Sequence, residues 1–197
     1  MALEKWIYEK LKAHMQINEN DSDLLQHGID TFVSDLSCMA GALVLAAVTG
    51  NMWEAILYIT VFSILRTYTG GWHAESRLLC FLSYIGVFAL FLITLRISID
   101  PWLMTAMFAI CCIITFYLAP VEHEYNPLSE KELLRNRSRS RIVITLLAIT
   151  YVIFFMIKWY ISKVLFSIIL LNTLLMLALR FSRHWRYYDS SQMCSRR

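Results

Sequence analysis

The sequence predicts an all-α membrane bundle, with six transmembrane helices preceded by an N-terminal amphipathic helix at the interface. Three observations carry that expectation. Of the 197 residues, 58% are hydrophobic and only 17% charged, with a mean hydropathy of +0.53, against about 25% charged in ordinary soluble domains. Apolar stretches approach the roughly 20 residues a helix needs to cross a bilayer. Lys and Arg fall almost wholly on alternate connections, as the positive-inside rule requires. A soluble chain of this size must clothe its surface in polar groups, and these are too few. The composition excludes a disordered chain, a disulfide-stapled secreted domain and an ordinary soluble enzyme. A net charge of +3 gives no reason to expect a nucleic-acid partner.

Taken in order, Leu3, Ile7, Leu11 and Met15 recur every four residues opposite polar positions, so residues 1–22 read as a helix lying on the inner membrane surface. Glu4, Glu9, Glu19 and Asp21 break any apolar run there, which argues against a cleavable signal peptide. Leu25, Ile29, Phe32, Val33 and Leu36 form an apolar face leading into the first span, Leu36–Trp53. The second, Ala55–Leu65, is short and bracketed by Glu54 and Arg66. It must span if its neighbours are to alternate sides, and a polar span faces the bundle interior. Leu78–Leu95 and Pro101–Val121 carry no Asp, Glu, Lys or Arg. From Ile142 to Leu179 the charges are Lys158 and Lys163, so this stretch divides into two spans joined by a tight Lys158–Lys163 connection.

With the N-terminus in the cytosol, only Arg96, Lys158 and Lys163 of the 18 Lys and Arg fall outside. Both termini are therefore expected in the cytoplasm of a cell whose membrane the chain crosses several times. Residues 1–197 read as one integral membrane domain with a cytosolic charged loop over 120–141. Small residues such as Gly41 and Ala42 permit close helix contact and hence a homodimer.

Five cysteines without a Cys-x-x-Cys or paired His/Cys spacing point neither to a disulfide framework nor to a metal site, and no cofactor is expected. Cys38, Cys111 and Cys112 lie in apolar spans, where a thiol behaves as a small hydrophobe; Cys194 lies in a polar tail. Cys80 differs in its company, the stretch Arg66-Thr-Tyr-Thr-Gly70-Gly71-Trp72-His73-Ala74-Glu75-Ser76-Arg77-Leu-Leu-Cys80. A solvated boundary loop is the plain reading of such clustering. The chemical reading starts from the thiolate, which needs a nearby base or positive charge. His73 can supply either, and Gly70-Gly71 lets the chain fold back through conformations other residues avoid. Were residues 73–80 one continuous helix, His73 and Cys80 would sit about 10.5 Å apart along the axis, beyond the roughly 2.6–3.2 Å of a proton transfer. A working pair therefore requires a non-helical His73 bent over the start of the third span, with Cys80 in its first turns, whose positive end favours an anion.

The run Arg66-x3-Gly70-Gly71-x-His73-Ala74-x5-Cys80 resembles the accessory gene regulator protein B (AgrB) family, bacterial membrane endopeptidases of peptide quorum sensing. Ala119-Pro120-x-Glu122-His123-x3-Pro127-Leu128-Ser129 resembles the family's segment after the fourth span, and length and span count agree, so the resemblance covers essentially the whole chain. It implies that Cys80 is the nucleophile and His73 its histidine, with Arg66, Gly70 and Gly71 on supporting motif positions. It also implies a pro-peptide substrate of the AgrD class, with an amphipathic leader, a central pheromone segment and an acidic tail. Such enzymes remove the tail and help close a thiolactone or lactone ring.

Arg135, Arg137, Arg139 and Arg141 bring four Arg together within seven residues. Anionic lipid and the positive-inside rule account for such a cluster; the sharper expectation is that it holds the acidic tail through charge-assisted contacts. His14, His27, His123 and His184 read as structural. The competing class is a non-enzymatic membrane peptide exporter, transporter or scaffold that uses Glu54 and Arg66 as a polar site and leaves Cys80 inert.

Overall fold

The computed structural model describes Lys10 and residues 19–69, 77–121, 130–157 and 159–195. Every regular element among them is a helix: α1 (Glu19–Thr49), α2 (Met52–Thr69), α3 (Arg77–Thr94), α4 (Pro101–Leu118), α5 (Glu130–Ile157) and α6 (Trp159–Ser195). Stretches long and apolar enough to cross a membrane occur in four of them, Gly28–Thr49, Pro101–Leu118, Leu133–Ile157 and Trp159–Phe181. Leu78–Thr94 is apolar but shorter. Helix α2 has the length, but Glu54 in its first turn and Arg66 in its last lower its hydropathy. Most of the segment expected as an interfacial helix lies outside the described residues; residues 19–22 open α1.

The helix ends show why the chain turns where it does. At the end of α1, Gly50 takes φ +72° and the Asn51 N–H reaches the Ala46 carbonyl at 2.9 Å, the glycine-terminated cap that satisfies the last orphan carbonyls. The first span therefore stops before Met52, ahead of the expected Trp53. Asp100 caps α4, accepting from Trp102 N at 2.9 Å and Leu103 N at 3.1 Å with Pro101 just inside the helix, where its missing N–H costs nothing. Of the expected Lys158–Lys163 connection, the residues from Trp159 onward are already helical, in α6.

The described residues fall into two compact units, one of Met1–Asn51 with Ala74–Gly86 and the other of Met52–His73 with Val87–Arg197. In the first, α1 meets the beginning of α3 at Gly41, where a Cβ would come within 2.6 Å of the Phe81 ring and 2.9 Å of Ile85. In the second, α6 packs against α2, α4 and α5, and its residues from Ser162 to Thr173 are buried apart from Lys163 and Leu170. Tyr58, Phe62, Phe88 and Phe91 form one aromatic cluster, with ring centroids 4.8–5.9 Å apart, and Phe108 stacks on Tyr151 at 3.7 Å. The outer faces of α4 and α5 present Ile110, Ile113, Ile149, Val152 and Met156, which is what lipid as solvent allows.

Candidate active site

Helix directions in the second unit sort its polar groups to two ends. At one end Tyr160 donates to Glu54 Oε1 at 2.5 Å, and Lys163 Nζ donates to the Leu95 carbonyl at 2.9 Å. That ammonium satisfies a carbonyl just past the end of α3, where a helix dipole favours a cation. The other end holds the C-terminal ends of α2 and α4 and the beginning of α5, and it is where both sequence signatures start.

At that end the Val121 N–H donates to the Thr69 carbonyl at 2.9 Å. One backbone hydrogen bond thus joins the residue before Gly70 to the Ala119-Pro120-Val121 segment, which leaves α4 in extended conformation with a cis bond before Pro120. Thr69 is fully buried. Its Oγ1 lies 3.5 Å from Asn172 Oδ1 on α6, and the neighbouring Thr173 shares a hydrogen bond with Thr115 on α4 at 2.9 Å. Consecutive residues of α6 therefore touch α2 and α4 through buried polar side chains.

The predicted site residues distribute as follows. Cys80 is the fourth residue of α3, a half-buried, reduced thiol in the first unit. Arg66 is half-buried in the last turn of α2, in the second unit. Gly70, Gly71 and His73 lie outside the described residues. Cys38 and Cys111 are buried and Cys112 half-buried within helices, as small hydrophobes are.

The expectation of a charged loop over 120–141 is corrected in its second half: α5 begins at Glu130. A spacing of two puts successive Arg about 200° apart around a helix, so Arg135 and Arg139 share one face, and Arg137 and Arg141 share the opposite one. Arg139 reaches over Tyr68 of α2 at 6.0 Å, and Arg141 over Phe116 of α4 at 4.9 Å. Arg141 is half-buried, and its Nε has no hydrogen-bond partner among the described residues; Arg135, Arg137 and Arg139 are exposed. The four do not form one anion-binding row.

Sequence reasoning missed Asn172, Thr69, Thr115 and Thr173. The signal was there for Asn172, a lone carboxamide in a run from Val164 to Leu179 whose other polar groups are the hydroxyls of Ser167 and Thr173. An unforced polar residue at membrane depth calls for an explanation.

Comparison with known proteins adds a family. The family model described as Accessory gene regulator B matches residues 4–179. A Clostridium perfringens (strain 13) protein provisionally named AgrB-like protein 2 is 25% identical over 181 residues, covering 85% of each chain. A Lactiplantibacillus plantarum (strain WCFS1) protein with a provisional AgrB-like name is 24% identical over 180 residues, 88% of this chain and 84% of that one. No solved structure matches.

Proposed function

The chain belongs to the accessory gene regulator B family, and from that premise we propose that it is a membrane-embedded cysteine endopeptidase that trims and cyclises a quorum-sensing pro-peptide. Family membership implies a role in the agr quorum-sensing system and a substrate of the AgrD type met in a membrane setting, with which four helices of membrane-crossing length accord. The observation that carries the finer reading is the place of Cys80. It is the one described cysteine that stands in the first turn of a helix, half-buried, seven residues after a histidine and nine after the second glycine of a Gly-Gly pair.

In this reading His73 takes the proton from Cys80 Sγ, and the thiolate adds to the carbonyl carbon at the C-terminal end of the pheromone segment. The carbon–nitrogen bond breaks. The acidic tail leaves as an amine that recovers the proton from His73, and the pheromone segment remains on Cys80 as a thioester. A Cys thiol or Ser hydroxyl within that segment then attacks the thioester carbonyl, closes the ring and releases the Cys80 thiol. Exchange of one thioester for another is nearly balanced, so this step needs proximity and exclusion of water above all. Half-burial at the head of an apolar helix supports both.

Arg66, Gly70 and Gly71 shape the approach to His73, and Arg135, Arg137, Arg139 and Arg141 hold the acidic tail from the two faces of α5. The topology that accompanies this reading has six spans within one membrane domain over 1–197, both termini in the cytoplasm and residues 1–22 on the inner surface. Co-expression with an AgrD-type pro-peptide tests it. Cys80→Ala and His73→Ala each abolish tail removal, while Cys38→Ala and Cys112→Ala retain it. Tail removal that survives both of the first two substitutions leaves an exporter as the better reading.

A further inference from the structure

The most buried stretch of α6 holds a carboxamide that the reaction scheme above does not use. Asn172 is 3% exposed, between buried Leu171 and Thr173. A carboxamide can donate two hydrogen bonds and accept two. Here Oδ1 lies 3.5 Å from Thr69 Oγ1 and Nδ2 lies 3.6 Å from the Met176 sulfur, a weak acceptor. Both contacts are long, and neither atom has a shorter one among the described residues. Burying an amide so poorly partnered costs free energy, and an apolar residue of the same volume would pack there without that cost. Its surroundings show what it touches instead: the last residue of α2, the one from which Gly70-Gly71-Trp72-His73 departs.

We infer that Asn172 is a positioning residue for the cleavage reaction, its carboxamide fixing the Thr69 end of α2 and through it the start of the His73 segment. The inference rests on the cysteine-protease reading. Thr69 is held on two sides, by the Val121 N–H on its carbonyl at 2.9 Å and by Asn172 at its hydroxyl. Thr173 ties the same level of α6 to Thr115 of α4 at 2.9 Å, so the anchor is itself anchored. His73 follows Thr69 by four positions in the sequence, with Gly70, Gly71 and Trp72 between them. A general base acts only within about 2.6–3.2 Å of its proton, and a displacement near 1 Å can cost on the order of 100-fold in rate. A fixed origin for so short a tether therefore bears on turnover directly, while substrate contacts elsewhere are untouched.

The test uses the full-length protein in proteoliposomes with an AgrD-type pro-peptide as substrate. Asn172→Leu and Thr69→Val each lower kcat about 10- to 100-fold and leave KM within about twofold. The double variant is no slower than either single one, because both remove one interaction. Thr69→Ser, which keeps the hydroxyl, stays close to the parent. Thermal midpoints of all four are no lower than the parent's, with Asn172→Leu raised by removal of the poorly partnered amide, which separates positioning from damaged folding; should Asn172→Leu fail to fold, Thr69→Val alone carries the measurement. Parental kcat in both single variants, additive losses, or losses that follow the thermal midpoint overturn the inference. Cys80→Ala and His73→Ala run alongside. If those two abolish cleavage while Asn172→Leu and Thr69→Val do not, the positioning role falls and the protease stands; if they retain cleavage, both fall.

Discussion

Gly41→Ala probes the packing directly beside the proposed nucleophile, and its effect can be worked out from opposing terms. A Cβ at Gly41 would sit 2.6 and 2.8 Å from Phe81 ring carbons and 2.9 Å from Ile85 Cδ1, whereas carbon atoms rest about 3.5–4.0 Å apart. The ring must move, and overpacking of this kind costs about 1–3 kcal/mol. Helix propensity pulls the other way, favouring Ala over Gly by about 1 kcal/mol. Gly86→Ala isolates that gain, since Gly86 lies within α3 and a Cβ there meets nothing within 4 Å. The difference between the two variants is then the packing cost. At about 2 kcal/mol in a chain of this length, it separates their thermal midpoints by roughly 4–8 °C, Gly41→Ala lower. Tryptophan fluorescence of purified protein during heating reads both. Because Phe81 follows Cys80 directly, the displaced ring also slows tail removal, and Phe81→Leu in the Gly41→Ala background recovers part of the loss. A Gly41→Ala midpoint at or above that of Gly86→Ala would refute the reasoning.

Two further outcomes follow from single contacts. Lys163→Met strips the Leu95 carbonyl of its ammonium donor and destabilises by about 1–2 kcal/mol, whereas Lys163→Arg keeps most of it; equal midpoints for Met and parent in a thermal melt would show that the 2.9 Å contact contributes nothing. Arg135→Gln with Arg137→Gln raises KM for an acidic-tailed pro-peptide and flattens its salt dependence, with kcat little changed; an unaltered KM removes these exposed side chains from tail recognition.

The helices were legible in the sequence because lipid leaves few alternatives: an apolar stretch of sufficient length must satisfy its own backbone, so α4 follows from the absence of charge alone, and the apolar part of α6 from a run whose charges, Lys163 and Arg180, stand near its two ends. Their ends were less legible. The cap at Gly50 depends on a backbone conformation, which the single glycine signals only weakly, and the stretch Lys158–Lys163, where the turn was expected, carries neither Gly nor Pro. The Arg ladder read as a loop because charge density resembles solvation. Once α5 extends back to Glu130, helical geometry splits the same residues between opposite faces. Cys80 stood out through its neighbours in the chain and Asn172 through its polarity in an apolar run, whereas Thr69, Thr115 and Thr173 acquire meaning only when α2, α4 and α6 meet, a tertiary fact that no local spacing encodes.

The acyl-enzyme is the point at which the protease reading is most exposed. Intact-mass measurement of the full-length protein, quenched in acid during turnover of a pro-peptide whose internal Cys is replaced by Ala to block ring closure, would capture it. The cysteine-protease reading predicts an adduct equal to the pro-peptide without its tail, mapped to Cys80 and released by hydroxylamine. Tail removal proceeding with Cys80 unmodified, or with the adduct on another cysteine, would contradict it.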